Sequence, residues 1–358
     1  MKTKSVTFVG TRPQYIKTSL FIRESKSRWN NIIIDSSQHY DYDMSDAFLD
    51  ELDIPYPDVR LRKCPKSSRR RFEYIKNKFE GLVRELKPSF AIVIGDTLTT
   101  LAGAMASWNR CPLVHIEAGA RCHDGEMVEE RIRERTDSMS DLLLCSTMNC
   151  KKNLAAERTP GKAYFTGDLS REVLIYNLGR FAGREKASLD KFGVKAGCYF
   201  LLTLHRREIL RDKKTLTGLL KKIDGAGKRI VFPLHPHTAK VLGKIPAFKN
   251  ILPVKPLSYT DSIHLVKNAR AALTDSGGIQ REAFFLHTPC ITFRDRTEWT
   301  ETVESGLNAL AGRTGSYFYE ALGKLNPDLK NIKKNPFGGG RIASNICGRI
   351  EAHFGFNG

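Results

Sequence analysis

Short apolar runs alternate with amphipathic stretches along almost the whole chain, and this alternation constrains the fold more than any other feature. In the first half the runs are SVTFVG, NIIIDS, FAIVIGD, PLVHIEAG, DLLLCST and KAYFTGD. Helical patterns separate them, over about Tyr15 to Ser27, near Met44 to Leu52, in TLTTLAGAMASWNR and in VEERIRERTDSMS. The second half repeats the scheme with YFLLTLH, a Lys-rich helix, RIVFPLH, NILPVKP, a helix over Thr260 to Asn268, AALTDSG, a helix over Ile279 to Leu286, and PCITFRD. Runs this short and uniformly apolar are buried on both faces, as in parallel strands joined by covering helices.

A chain of 358 residues is too long for one ordinary core. The expected fold is therefore α/β, with two Rossmann-like domains facing a central cleft. The expected boundaries are an N-terminal domain over 1–168, a linker over 169–190, a second domain over 191–335, and a Gly hinge with a final helix over 336–358. In doubly wound sheets ligands bind beyond the C-terminal strand ends. Here those ends carry Gly10 to Arg12, Gly95-Asp96, Glu117, Asp168, His205, His235, Asp275 to Gly278 and Arg294-Asp295.

No apolar run approaches the roughly 18 residues of a membrane span, and the N-terminus leads straight into a strand and a Gly turn, without a signal-peptide pattern. The eight cysteines are scattered without CxxC pairs. They are expected to be reduced thiols of a cytoplasmic protein, with no zinc site. The net charge of +19 favours an anionic partner, either a phosphorylated metabolite or nucleic acid. The densest basic run, Lys63 to Lys78, is expected to be a solvated loop and helix start rather than an RNA site.

Three stretches point to anion chemistry. In LTDSGGIQRE a strand runs into Ser276-Gly277-Gly278 and a helix begins at once, so free amides and the helix dipole suit a diphosphate. Ser276 adds a hydroxyl, and Glu282 is placed to accept from ribose hydroxyls. The pattern is neither a Walker loop nor GxGxxG, which argues against ATP hydrolysis and NAD binding. FVGTRPQYIK puts Arg12 and Lys17 at a second strand-to-helix turn, with Pro13 in the first helical turn. LTLHRREIL puts His205 at a strand end, where Arg206 and Arg207 disfavour a further positive charge on it.

The stretch LVHIEAGARCHDGEMVEERIRE gathers carboxylates in this basic chain. Glu117 ends a strand, as Asp96 does on the neighbouring one. If Val128 onward is helical, Glu129 and Arg133 share a face. Asp96, Glu117 and Glu129 are expected to converge on one pocket, where crowding separates their proton affinities into acid and base. Glu126, Glu130 and Glu134 read as ordinary solvated charges.

In order, GTRPQYIK, SQHYDYDMSDAFLDEL, GDTLTTLAG, HIEAGAR, VEERIRERTD, HRRE and TDSGGIQREA, with TEWTETVESGLN, resemble the non-hydrolysing UDP-N-acetylglucosamine 2-epimerase family over nearly the entire chain. The resemblance implies a pair of domains like those of GT-B glycosyltransferases, with the C-terminal helix returning to the N-terminal domain. It implies inversion at C2 of a UDP-sugar, without redox cofactor or metal, by elimination of UDP to a 2-acetamidoglucal and re-addition. Asp96, Glu117, Glu129 and His205 match the family's catalytic positions. Arg12, Lys17, Ser276, Gly277 and Glu282 match its nucleotide-binding positions, and Arg133, His235 and Gly278 are placed with them as UDP-sugar-binding candidates. A homodimer is implied, with no membrane or nucleic-acid partner.

The chain also departs from the family pattern. PEExNR becomes Val128 to Arg133, with Ile132 in place of Asn; Ser138 replaces a His; HPR becomes His235-Pro236-His237. Asp41 replaces a Gln that helps some bacterial members hold a second, activating UDP-sugar. QHYDYDMSD and TEWTETVESG are similar to the branch acting on 2,3-diacetamido-uronic acid sugars and to archaeal members, so the sugar stays open. The alternatives are a hydrolysing 2-epimerase, a GT-B glycosyltransferase, and a nucleic-acid-binding protein on an inactive scaffold.

Overall fold

The computed structural model describes residues 3–38, 48–62, 64–65, 67–243, 247–325 and 335–356. The chain forms two compact units: one runs to Val173 and resumes at Asn335, and the other begins at Leu174. Asp41, Lys63 and the Met44 end of the helix expected over Met44 to Leu52 lie outside the described residues; Phe48 to Leu52 are helical.

Unit 1 is built on a seven-stranded sheet of order β3-β2-β1-β4-β5-β6-β7. Its strands are β1 Lys4–Val9, β2 Asn30–Asp35, β3 Val59–Arg60, β4 Phe90–Ile94, β5 Leu113–Ile116, β6 Leu142–Cys145 and β7 Lys162–Phe165, and every pairing is parallel. Such connections need helices on the faces, which is why the central strands read as unbroken apolar runs. All five residues of β4 are buried. The helix Ser68–Leu86 faces the sheet with Ile75, Phe79 and Val83, spaced four apart, and the Phe79 ring lies 4.3 Å from that of Phe8. Strand order reverses between β1 and β4. The turns after these two strands, Gly10 to Arg12 and Gly95-Asp96, thus flank the topological switch point.

The final helix, Ile342–Phe354, belongs to unit 1. It buries Ile342, Ile346 and Ile350, and Arg28 of the first helix donates to Glu351 at 2.9 Å. Phe354 stacks on Phe90, with ring centroids 4.8 Å apart. The expected return of the C-terminal helix to the N-terminal half is therefore observed.

Unit 2 carries a six-stranded, all-parallel sheet of order β10-β9-β8-β11-β12-β13. The strands are β8 Tyr199–Thr203, β9 Arg229–Pro233, β10 Ile251–Val254, β11 Ala271–Thr274, β12 Cys290–Thr292 and β13 Asn308–Leu310. The Lys-rich helix Lys213–Asp224 turns Leu216, Leu219, Leu220 and Ile223 inward and its lysines outward. Here the order reverses between β8 and β11, which places His205 and Asp275 to Gly278 at the switch.

The segment expected as a linker is helical over Leu169–Phe181 and Glu185–Lys191. The very short strands β3 and β13 leave no mark in the sequence pattern, because two or three residues are too few to display a period. All eight cysteines are free thiols. Among the described residues no helix is long and apolar enough to cross a membrane.

Candidate functional site

In unit 1 the turn after β1 is fixed by its glycine. A Cβ on Gly10 would collide with the hydroxyls of Ser36 and Thr99. Buried Gln14 then clamps this turn to the next strand: its Oε1 accepts from Gly10 N at 3.0 Å, while its Nε2 donates to the Ile94 carbonyl at 2.8 Å. Thr11 caps the helix Arg12–Arg28, whose first residue, Arg12, lies 5.8 Å from the Phe48 ring centre. Gln14 was overlooked in the sequence because a helical Gln carries no sign that it is buried.

The β4 turn is left-handed at Gly95 (φ 65°), and Thr97 starts the next helix with a capping box on Thr100. Asp96 stands between them, partly exposed, and accepts from Arg133 Nη1 at 2.6 Å. On the adjacent strand Glu117 takes φ 73°, a conformation that costs a non-glycine residue about 1 kcal/mol. Its carboxylate meets Lys17 Nζ at 2.7 Å, with side-chain exposures of 10 % and 14 %. Lys17, expected to hold an anionic ligand, thus has its charge on a protein carboxylate.

The helix Val128–Met139 overturns one expectation. Glu130, read as a solvated charge, is only 2 % exposed. It accepts from Arg133 at 2.7 Å and from the amides of Cys122 and His123 at 3.1 and 2.9 Å. Burial alone would raise its pKa, but Arg133 and those two amides outweigh burial and hold it below the usual carboxylate range. The helix meets unit 1 along Glu130, Arg133 and Asp137 at i, i+3 and i+7, so Arg133 pairs with Glu130 rather than with Glu129. Glu129 is half-buried, and its carboxylate makes no hydrogen bond or ion pair among the described residues. Glu126 and Glu134 are exposed, as expected. Ile132 is buried and Ser138 is exposed on this helix. Asp96 and Glu117 are thus brought to neighbouring strand ends, each on its own cation. Glu129 sits one turn before the cation that holds Asp96.

Unit 2 arranges its groups differently. Asp275, fully buried at the end of β11, accepts from the amides of His205 and Arg206 at 2.9 and 2.8 Å. Its other oxygen lies 3.1 Å from His205 Nδ1. Burial would raise the Asp275 pKa, but His205 and the two amides outweigh it and set it below the ordinary value. The imidazole, 43 % exposed, is therefore held from behind with Nε2 directed away from its anchor. The sequence places only the flanking arginines beside this His; the buried carboxylate acts on it from another strand. The His235 ring lies 6.3 Å from that of His205, and His235 caps the following short helix by accepting from His237 N.

Ser276 is the N-cap of the helix Gly277–Phe285, and its own amide donates to Thr274 Oγ1 at 2.9 Å. A Cβ on Gly277 would lie 2.5 Å from Glu298 Oε1 and 3.1 Å from Trp299 Nε1, so a bare backbone is required there. Gly278 is exposed in the first turn of the helix, where backbone amides lack intrahelical acceptors. Glu282 is half-buried on the same helix. A strand end with open amides, a cap hydroxyl and an oriented His suits an oxyanion.

Comparison with known proteins identifies the family. The family model described as UDP-N-acetylglucosamine 2-epimerase matches residues 23–351. The UDP-N-acetylglucosamine 2-epimerase of Methanocaldococcus jannaschii is 36 % identical over 353 residues, covering 94 % of this chain and 96 % of that protein. The UDP-2,3-diacetamido-2,3-dideoxy-D-glucuronate 2-epimerase of Pseudomonas aeruginosa is 34 % identical over 357 residues, covering 96 % and 98 %. The crystal structure of the M. jannaschii UDP-GlcNAc 2-epimerase in complex with UDP-GlcNAc and UDP superposes with a TM-score of 0.88 at 34 % identity, covering 99 % of this chain and 100 % of that one. The match spans nearly the whole chain and both doubly wound sheets: the chain is an isomerase that belongs to the UDP-N-acetylglucosamine 2-epimerase family.

Proposed function

We propose that the protein inverts C2 of UDP-N-acetylglucosamine or of a related UDP-2-acetamido sugar, the 2,3-diacetamido-uronate included. The observation that carries this reading is the pair of strand-end carboxylates, Asp96 and Glu117, each in contact with a well-buried cation, Arg133 and Lys17. A C2–H bond is unactivated, so its proton is removed as C1 loses its substituent. One carboxylate takes the proton from C2, the C–H electron pair becomes the C1=C2 bond, and the C1–O pair leaves with UDP. A second carboxylate then delivers a proton to the opposite face of C2 while a UDP oxygen re-forms its bond to C1. No net electrons are exchanged.

Asp96 and Glu129 are assigned the transfers at C2, which the unpaired state of Glu129 among the described residues supports. Glu117 with Lys17 tunes them. In unit 2, Ser276, Gly277 and Gly278 receive the diphosphate, Glu282 the ribose, and His205 with His235 the charge that builds on departing UDP. Arg12 and Arg133 add positive charge on the unit 1 side. A cytoplasmic location and a homodimer belong to the same reading; sedimentation of the purified chain decides the second.

The test is to incubate the protein with each UDP-sugar in deuterated water and follow C2 by NMR. Deuterium at C2 with UDP still attached is expected. Release of UDP with a free 2-epimeric sugar selects the hydrolysing alternative, and no exchange with either compound overturns the reading.

A further inference from the structure

One buried carboxylate reaches the turns beyond two neighbouring strands. Asp137 is 1 % exposed and has its Oδ1 2.6 Å from His115 Nδ1. Its Oδ2 accepts from the Gly119 amide at 3.1 Å and from Arg121 at 2.7 Å. His115, on β5 and wholly buried, directs its other nitrogen to the Gly95 carbonyl at 2.9 Å. A carbonyl only accepts, so Nε2 carries a hydrogen. Gly95 immediately precedes Asp96, and Gly119 follows Glu117 by two residues. A single side chain thus ties down the backbone beside both carboxylates, one directly and one through an imidazole.

The places it holds are ones the chain would not keep unaided. Gly95, Glu117 and Gly119 all have positive φ, at 65°, 73° and 79°. Glutamate avoids this region, so its conformation persists only where the surroundings over-determine it. A Cβ on Gly119 would collide with the Cys150 carbonyl, which leaves that turn little room to shift. Arg121 extends the anchor outward to Glu157 through two contacts of 2.8 Å. Asp137 and His115 take no part in the proton transfers proposed above; besides each other, their contacts go to backbone and to Arg121 rather than to the Asp96 or Glu117 side chains.

We propose that Asp137 and His115 form the positioning pair of the reaction, setting the aim and separation of Asp96 and Glu117 without touching substrate. The proposal rests on the reading above, in which Asp96 acts at C2 and Glu117 tunes it.

Asp137→Asn keeps the shape and removes the charge. Misplacing reacting groups by about 1 Å costs on the order of 10²-fold, so kcat is expected to fall by about that factor. KM is expected to stay within about threefold, because binding in the ground state is untouched. His115→Gln can keep an N–H on the Gly95 carbonyl and is expected to retain more kcat than His115→Phe, which cannot; these two carry the test if Asp137→Asn does not fold. Amide exchange at Gly119 and Asp96 is expected to quicken in Asp137→Asn while that of unit 2 stays unchanged. Unchanged kcat in a folded Asp137→Asn overturns the proposal, as does equal loss in His115→Gln and His115→Phe. If the wild-type chain epimerises no UDP-sugar, the functional reading fails separately. The exchange experiment then still decides the positioning claim, and unaltered exchange at Gly119 and Asp96 overturns it.

Discussion

In unit 1 the charged groups at the strand ends are met by other charges that are themselves out of water: Lys17 on Glu117, Arg133 on Asp96 and Glu130, Arg121 on Asp137. In unit 2 several groups at the corresponding turns stand in solvent, with His205 43 % exposed and His235 and Gly278 exposed, while the buried charge of Asp275 lies behind His205. Buried pairs are poor sources of net stability, since desolvation consumes most of the attraction. Their usefulness lies in fixing position and protonation. The turn of unit 2 does the reverse and presents His205, His235 and Gly278 to solvent. Under the function proposed above, unit 1 moves the proton and unit 2 holds the nucleotide.

The largest test of this division falls on unit 1. Asp96→Asn and Glu129→Gln are each expected to lower turnover by about 10³-fold, the scale of losing a general acid or base. A Glu129→Gln enzyme with full activity would remove that residue from the chemistry. Next in size is Asp275→Asn, which leaves His205 without its carboxylate. A loss of about 10²-fold in kcat is expected, with an altered pH–rate profile that distinguishes misdirection of the ring from simple destabilisation. Smaller again is Gly277→Ala, where the added methyl meets Glu298 and Trp299. UDP affinity is expected to weaken about tenfold, or about 1.4 kcal/mol, by calorimetry. An unchanged affinity would place the diphosphate elsewhere.

The mildest effect concerns pH. Glu130, Asp137 and Asp275 all have pKa values set below the ordinary range: burial opposes this in each, and cations, histidines and amides outweigh it. A carboxylate whose folded pKa is depressed contributes stability above its unfolded pKa of about 4 and loses it as pH falls through the folded value. Thermal midpoints are expected to be flat near neutrality and to drop below about pH 4. A midpoint that rises on acidification would contradict the protonation states assigned here.

Much of this was legible in the sequence. Parallel α/β units announce themselves through short apolar runs, and charged residues directly after such runs mark the ligand end of the sheet. That logic located Asp96, Glu117, His205 and Ser276. It placed Glu130 on the solvated face, where the structure buries it, because the inward face of a helix depends on which turn packs against it. The spacing of Glu130, Arg133 and Asp137 was the available signal, a polar stripe at helical period that reads equally well as solvated. Gln14, His115 with Asp137, and Asp275 behind His205 were out of reach for a different reason. Their partners lie 22 to 80 positions away in the chain, and only the folded sheet brings them together.

The most direct test of the division between the units is the affinity of Asp96→Asn for UDP, measured by calorimetry beside its turnover. The account expects turnover to fall by about 10³-fold while the Kd for UDP stays within about twofold of wild type. Parallel loss of binding and turnover would contradict it, since Asp96 and its cation would then be holding the nucleotide rather than moving the proton.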